Sequence, residues 1–75
     1  MAESDFLSHS EKQFLAYTLR FGPTGYPVSK VKSRWVWIEA FGIKGSQTTY
    51  HTKRAAVAAV DAYVGILLDR QAGLL

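Results

Sequence analysis

Tyr50-His51-Thr52-Lys53-Arg54-Ala55-Ala56-Val57-Ala58-Ala59-Val60-Asp61 opens an alanine-rich stretch that holds no proline. Thr52 offers a hydroxyl as N-cap, so a long helix is predicted from Lys53 to about Arg70. Ala56, Ala59, Val60, Tyr63, Ile66 and Leu67 recur at three and four residues and cover one wide face, leaving Asp61, Asp69 and Arg70 for solvent. Small alanines on that face let a sheet approach closely. Gly73 supplies a C-terminal stop, and Leu74-Leu75 remain as an apolar tail.

Upstream of this helix, Trp35, Val36, Trp37, Ile38 and Phe41 favour strand by bulk and β-branching. Alternation places Val31, Trp35, Trp37 and Phe41 on an inward face and Lys30, Lys32 and Arg34 on the other. A break near Lys32-Ser33-Arg34 splits the run, and Gly42-Ile43-Lys44-Gly45 turns into a third strand over Ser46–His51. Further upstream, Ser8-His9-Ser10-Glu11 fits the capping box of a first helix with Phe14, Leu15, Thr18 and Leu19 on one stripe. Gly22-Pro23 stops that helix and begins a loop to Pro27.

The expected fold is therefore α+β: an N-terminal helix and a three-stranded antiparallel sheet packed against a C-terminal alanine-rich helix. Residues 1–7 are expected to be a flexible N-terminus. Residues 8–75 form one small domain, with helix over 8–21, sheet over 28–51 and helix over 52–70. A chain of 75 residues buries only about 60% of the surface its unfolded form exposes, which excludes a large multi-substrate enzyme. Without cysteine, no disulfide or thiolate-held metal can supplement the core.

Charge is unevenly placed. Residues 12–54 hold eight of the nine basic side chains and one acid, Glu39, a local balance of +7 within a chain of net +3. A concentrated basic middle in an aromatic-rich domain is the footprint of a partner that is a polyanion. Lys53 and Arg54 at a helix start oppose the macrodipole, unless a phosphate sits on the free amides between them. Lys30, Lys32 and Arg34, with Lys44, could lay a ribbon into a major groove. Arg34 and Lys32 are the candidates for guanine edges, and Ser29, Gln47 and Thr49 could add polar contacts. The bland alternative for all of them is a solvated, lysine-protected face. Trp35 and Trp37 could stack bases, but a small core needs such payloads and core is the favoured place.

The strand–helix junction Tyr50-His51-Thr52 through Asp61 resembles the ethylene-response-factor (Apetala-type) DNA-binding domain, whose pattern is aromatic, any residue, threonine and then E-E-A-A-x-A-Y-D. Tyr50, Thr52, Ala56, Ala59, Val60 and Asp61 fall on family positions. Pro27-Val28-Ser29-Lys30 looks like the family's opening, and Arg34-Trp35-Val36-Trp37 is similar to its tryptophan strand, over about residues 27–70 in all. Lys53 and Arg54 replace family acids. The resemblance implies duplex DNA bound through the sheet, as in the arm-binding modules of integrases and the relatives that accompany phage homing endonucleases. It thus implies a phage or mobile-element setting and a role in transcription regulation or as an accessory factor. Thr52-Lys53-Arg54-Ala55-Ala56 also resembles the double-stranded-RNA-binding domain, so duplex RNA is an alternative.

A protein-interaction module that modulates a host protein is the main rival. It would use the N-terminal helix, through Phe14, Leu15 and Leu19, for a partner or a homodimer, or else the tail Leu74-Leu75. His9 and His51 sit at no metal-ligand spacing, and neither nucleophile with base nor paired carboxylates are present. No cofactor, no metal and no enzymatic activity are expected. The acidic start Met1-Ala2-Glu3-Ser4-Asp5 and the absence of a long apolar run predict a cytoplasmic protein without membrane attachment, nucleoid- or nucleus-associated if it binds DNA.

Overall fold

The computed structural model describes residues 7–46 and 48–73. Two helices, α1 (His9–Phe21) and α2 (Lys53–Gln71), enclose a hairpin of β1 (Val28–Val31) and β2 (Arg34–Trp37). The capping box at α1 forms as its residues dictate. Ser8 Oγ accepts from the Glu11 amide at 3.1 Å, and the Ser8 amide donates to Glu11 Oε1 at 2.8 Å. α1 buries Phe14, Leu15 and Thr18, whose hydroxyl donates to the Leu15 carbonyl at 3.0 Å. Leu19, expected on the same stripe, is 57% exposed. A 3-10 turn, Gly22–Gly25, then leads to the hairpin.

β1 and β2 are antiparallel, with Val28 opposite Trp37, Lys30 opposite Trp35 and Val31 opposite Arg34. Lys32, at φ 59, and Ser33 make a two-residue turn between them. Thr52 caps α2 as expected, accepting from the Ala55 amide at 3.1 Å. The core joins Leu7, Phe14, Leu15, Tyr26, Val60, Val64 and Leu67, with Trp37 and Tyr63 packed on it. Full burial of a side chain such as Phe14 contributes about 1.5–3 kcal/mol. Leu7, placed by the sequence reading in a flexible terminus, is a core residue at 4% exposure. The rest of that segment and the Leu74-Leu75 tail lie outside the described residues.

Among the described residues the expected third strand does not form, and the sheet has two strands. Trp35 and Tyr50 exchange both backbone bonds, at 2.9 and 2.8 Å, as one isolated bridge. A continuous ladder would next set Trp37 against Thr48, but the Trp37 carbonyl accepts from the Ser46 amide at 3.1 Å. The connection is two residues too long for a regular strand. The Ser46 hydroxyl completes the interruption by donating to the Thr48 carbonyl at 2.9 Å and accepting from the Trp37 amide at 3.4 Å. Gly45, at φ 84, fixes the crossing, because a Cβ there would lie 2.2 Å from the Trp37 carbonyl oxygen.

The inward face also needs correction. The sharp turn after β2 is centred on Phe41 (φ 56) and Gly42 (φ 86), between the mutually bonded Ala40 and Ile43. Phe41 and Val31, both expected inside, are 43% and 49% exposed. On α2 the buried positions are Ala56, Val60, Val64 and Leu67. The stripe is rotated from the expected one, leaving Ile66 42% exposed and bringing in Val64.

Candidate nucleic-acid interface

Register decides where the basic side chains point. A two-residue turn makes Val31 and Arg34 partners, and paired residues share a face. Lys30 therefore lies with Trp35 on the side toward α2, Arg34 lies with Val31 on the opposite side, and Lys32 stands at the tip. The three do not form the single basic face that uninterrupted alternation predicts.

The Trp35–Tyr50 bridge compensates by drawing the chain ahead of α2 onto the edge of β2. Arg34 anchors that segment: Nε donates to Thr49 Oγ1, Nη2 to the Thr49 carbonyl at 3.3 Å, and Nη1 to His51 Nδ1 at 3.2 Å. Two residues beyond, Lys53 Nζ lies 5.7 Å from the centroid of the Trp35 ring. A cation over an aromatic face gains about 0.5–1 kcal/mol at an exposed site, which holds the lysine against the hairpin. Of the tryptophans, Trp37 lies in the core with Phe14 and Tyr63 at ring distances of 6.4 and 5.5 Å. Trp35 instead joins the basic end.

No family model, curated protein or solved structure matches this chain. Lys30, Arg34, Thr49, Lys53 and Arg54 come to one end of the molecule, with Lys32 at the hairpin tip. Ser29 lies further along β1, opposite Val36. Lys44 is not with them, since it precedes Gly45 at the Trp37 end of β2, about 10 Å of strand away from Arg34. Gln47 lies outside the described residues. Sequence reasoning missed His51 as a member of this cluster, having weighed it only as a metal ligand; its place beside the Thr52 cap was the available signal.

Among the described residues the one ion pair is Arg70 with Glu11, at 3.1 Å, at the other end of α2. The cations of the hairpin and of the first turn of α2 thus have no acid partner there. No group of three or more metal-ligating side chains occurs among the described residues, and no helix is long and apolar enough to cross a membrane. A groove of about 380 Å³ between α1 and the 40–43 turn is lined by Phe14, Tyr17, Tyr26, Pro27, Ile38 and Phe41. Tyr17, Phe21 and Phe41 line up beside it, with ring centroids 4.6 and 5.1 Å apart, each 38–48% exposed.

Proposed function

We propose that this protein binds duplex DNA, in a regulatory or accessory role, through the β1–β2 hairpin and the first turn of α2. What supports the reading is the convergence of Lys30, Lys32, Arg34, Lys53 and Arg54 on one end with no acid partner among the described residues. A two-stranded ribbon fits a major groove about 12 Å wide. Lys30, Lys32, Lys53 and Arg54 hold phosphates. Arg34 braces the segment before α2, and its base contact depends on its release from Thr49.

The test is a fluorescence-anisotropy titration of labelled duplex DNA at several salt concentrations, with duplex RNA of the same sequence in parallel. Four phosphate contacts give a log–log salt slope of about −3.6. Lys53→Ala weakens binding alike on all sequences and lowers that slope by about 0.9. Preference for RNA transfers the reading to a double-stranded-RNA-binding role. Absence of binding to either duplex at about 50 mM salt overturns both.

A second reading, a protein-interaction module, is favoured by one observation: α1 packs by Phe14 and Leu15 yet leaves Tyr17, Leu19 and Phe21 exposed. Sedimentation of wild type against Phe21→Ser tests its homodimer form. Loss of a concentration-dependent dimer in the variant supports it, and a monomer at all concentrations removes it.

A further inference from the structure

We propose that two copies of this protein pair about a two-fold axis, each seating Phe21 in the other's groove between α1 and the 40–43 turn, with Arg20 of each copy against the other's Glu39. The inference rests on the protein-interaction reading in its homodimer form and names the surface and its pairing. The groove and the ring that fits it stand side by side. Phe21 is 48% exposed, and its ring centroid lies 4.6 Å from that of Tyr17, which lines the groove with Ile38 and Phe41. Gly25 lets Phe21 stand at that edge, since a Cβ on this lining residue would lie 2.6 Å from the Phe21 Cβ. At about 380 Å³ the groove is at the small end of ligand clefts, which run from about 300 to 1,000 Å³, so it suits a protruding side chain. A two-fold contact needs a patch that is its own complement: where one residue meets a second, the second meets the first. A knob beside a hole is such a patch, because one rotation seats both rings at once.

Charge complementarity points to a second copy as the occupant. The guanidinium carbon of Arg20 lies 5.3 Å from the centroid of the Phe21 ring, so a cation accompanies the knob. The rim of the groove carries an acid, Glu39, exposed between the lining residues Ile38 and Ala40. It is the one acid within residues 12–54. Among the described residues neither Arg20 nor Glu39 makes an ion pair. The rotation that brings Phe21 to the facing groove brings Arg20 to the facing rim, so opposite charges meet twice in each dimer. An arginine beside a buried aromatic anchor is the kind of pair on which interface energy concentrates.

The experiment is sedimentation equilibrium of wild type, Arg20→Glu, Glu39→Arg and an equimolar mixture of the two variants. Wild type is expected to dimerise with rising concentration. Each variant alone sets like charges across the contact twice, and its dimer Kd should rise by about tenfold or more. The mixture should recover dimers, because one copy then brings two acids and the other two bases; a pair within one chain could not respond to mixing. Phe21→Ser should abolish the dimer, whereas Ile66→Ser, on α2 and 42% exposed outside the groove, should keep it. All four substituted side chains are exposed, and an unchanged far-ultraviolet circular dichroism spectrum verifies that each variant folds. A dimer indifferent to both charge reversals, or one that mixing fails to recover, overturns the inference while the homodimer stands. A monomer at all concentrations overturns the homodimer and this inference with it.

Discussion

The two ends of α2 solve the same electrostatic problem in opposite ways. Near its C-terminus, Arg70 meets Glu11 at 3.1 Å, and Tyr63 Oη donates to the same carboxylate oxygen at 3.4 Å. That cation complements the helix dipole and is neutralised by the carboxylate that also caps α1. At the N-terminus, Lys53 and Arg54 oppose the dipole with no acid partner among the described residues. One end is closed on itself and holds two helices together. At the other, Lys53 is held by the Trp35 ring face rather than by a carboxylate, so its position is fixed while its charge stays unneutralised.

If the contrast is right, substitutions at the closed end cost stability and those at the open end cost binding. The largest expected effect is Phe14→Ala, which empties a fully buried site touching Trp37 and Tyr63 and should cost about 3–5 kcal/mol in denaturant unfolding. Next comes Gly45→Ala, whose Cβ would strike the Trp37 carbonyl at a positive φ; a loss of about 2–3 kcal/mol is expected, and an unchanged unfolding midpoint would contradict the described crossing.

Glu11→Gln should cost about 1–2 kcal/mol at neutral pH while leaving the proposed DNA binding unchanged. The Ser8 amide, aided by Arg70 and Tyr63, holds the Glu11 carboxyl below its ordinary range despite partial burial. Its contribution is complete above the unfolded carboxylate pKa and is lost as pH falls through the lower folded value. Acid unfolding of wild type and variant should therefore converge. Tyr26 gives the opposite sign: burial, then its 2.8 Å bond to Asp61, pushes the phenol up to about 12. That contribution is intact below the ordinary value of 10.0 and fades as pH rises toward 12, so Tyr26→Phe should flatten the alkaline limb of a stability profile. The smallest effect on stability belongs to Lys53→Ala, within about 0.5 kcal/mol of wild type, while the proposed DNA binding should weaken several-fold.

Both helices were legible because their signals are local: Ser8 with Glu11, Thr52 before an alanine run, and Gly22 and Gly73 at positive φ after the ends. The third strand was not, because Ser46–His51 has strand composition and only tertiary context shows the Ser46 hydroxyl competing for Thr48 and Trp37. For the candidate site, the cations could be counted but not aimed. A single turn at Lys32-Ser33 changes which residues share a face, so Lys30 and Arg34 part company while Lys53 joins Trp35. The part played by Arg34, Thr49 and His51 depends on a bridge between residues 35 and 50 that no spacing rule announces.

The division of the two tryptophans between these ends gives the molecule a pair of built-in optical reporters. Trp37 sits among Phe14 and Tyr63 with its indole N–H buried and unpartnered, whereas Trp35 lies under the Lys53 ammonium. In a Trp35→Phe protein the emission therefore follows unfolding of the core alone. In a Trp37→Phe protein it follows whatever settles on the basic end, without a label on either partner.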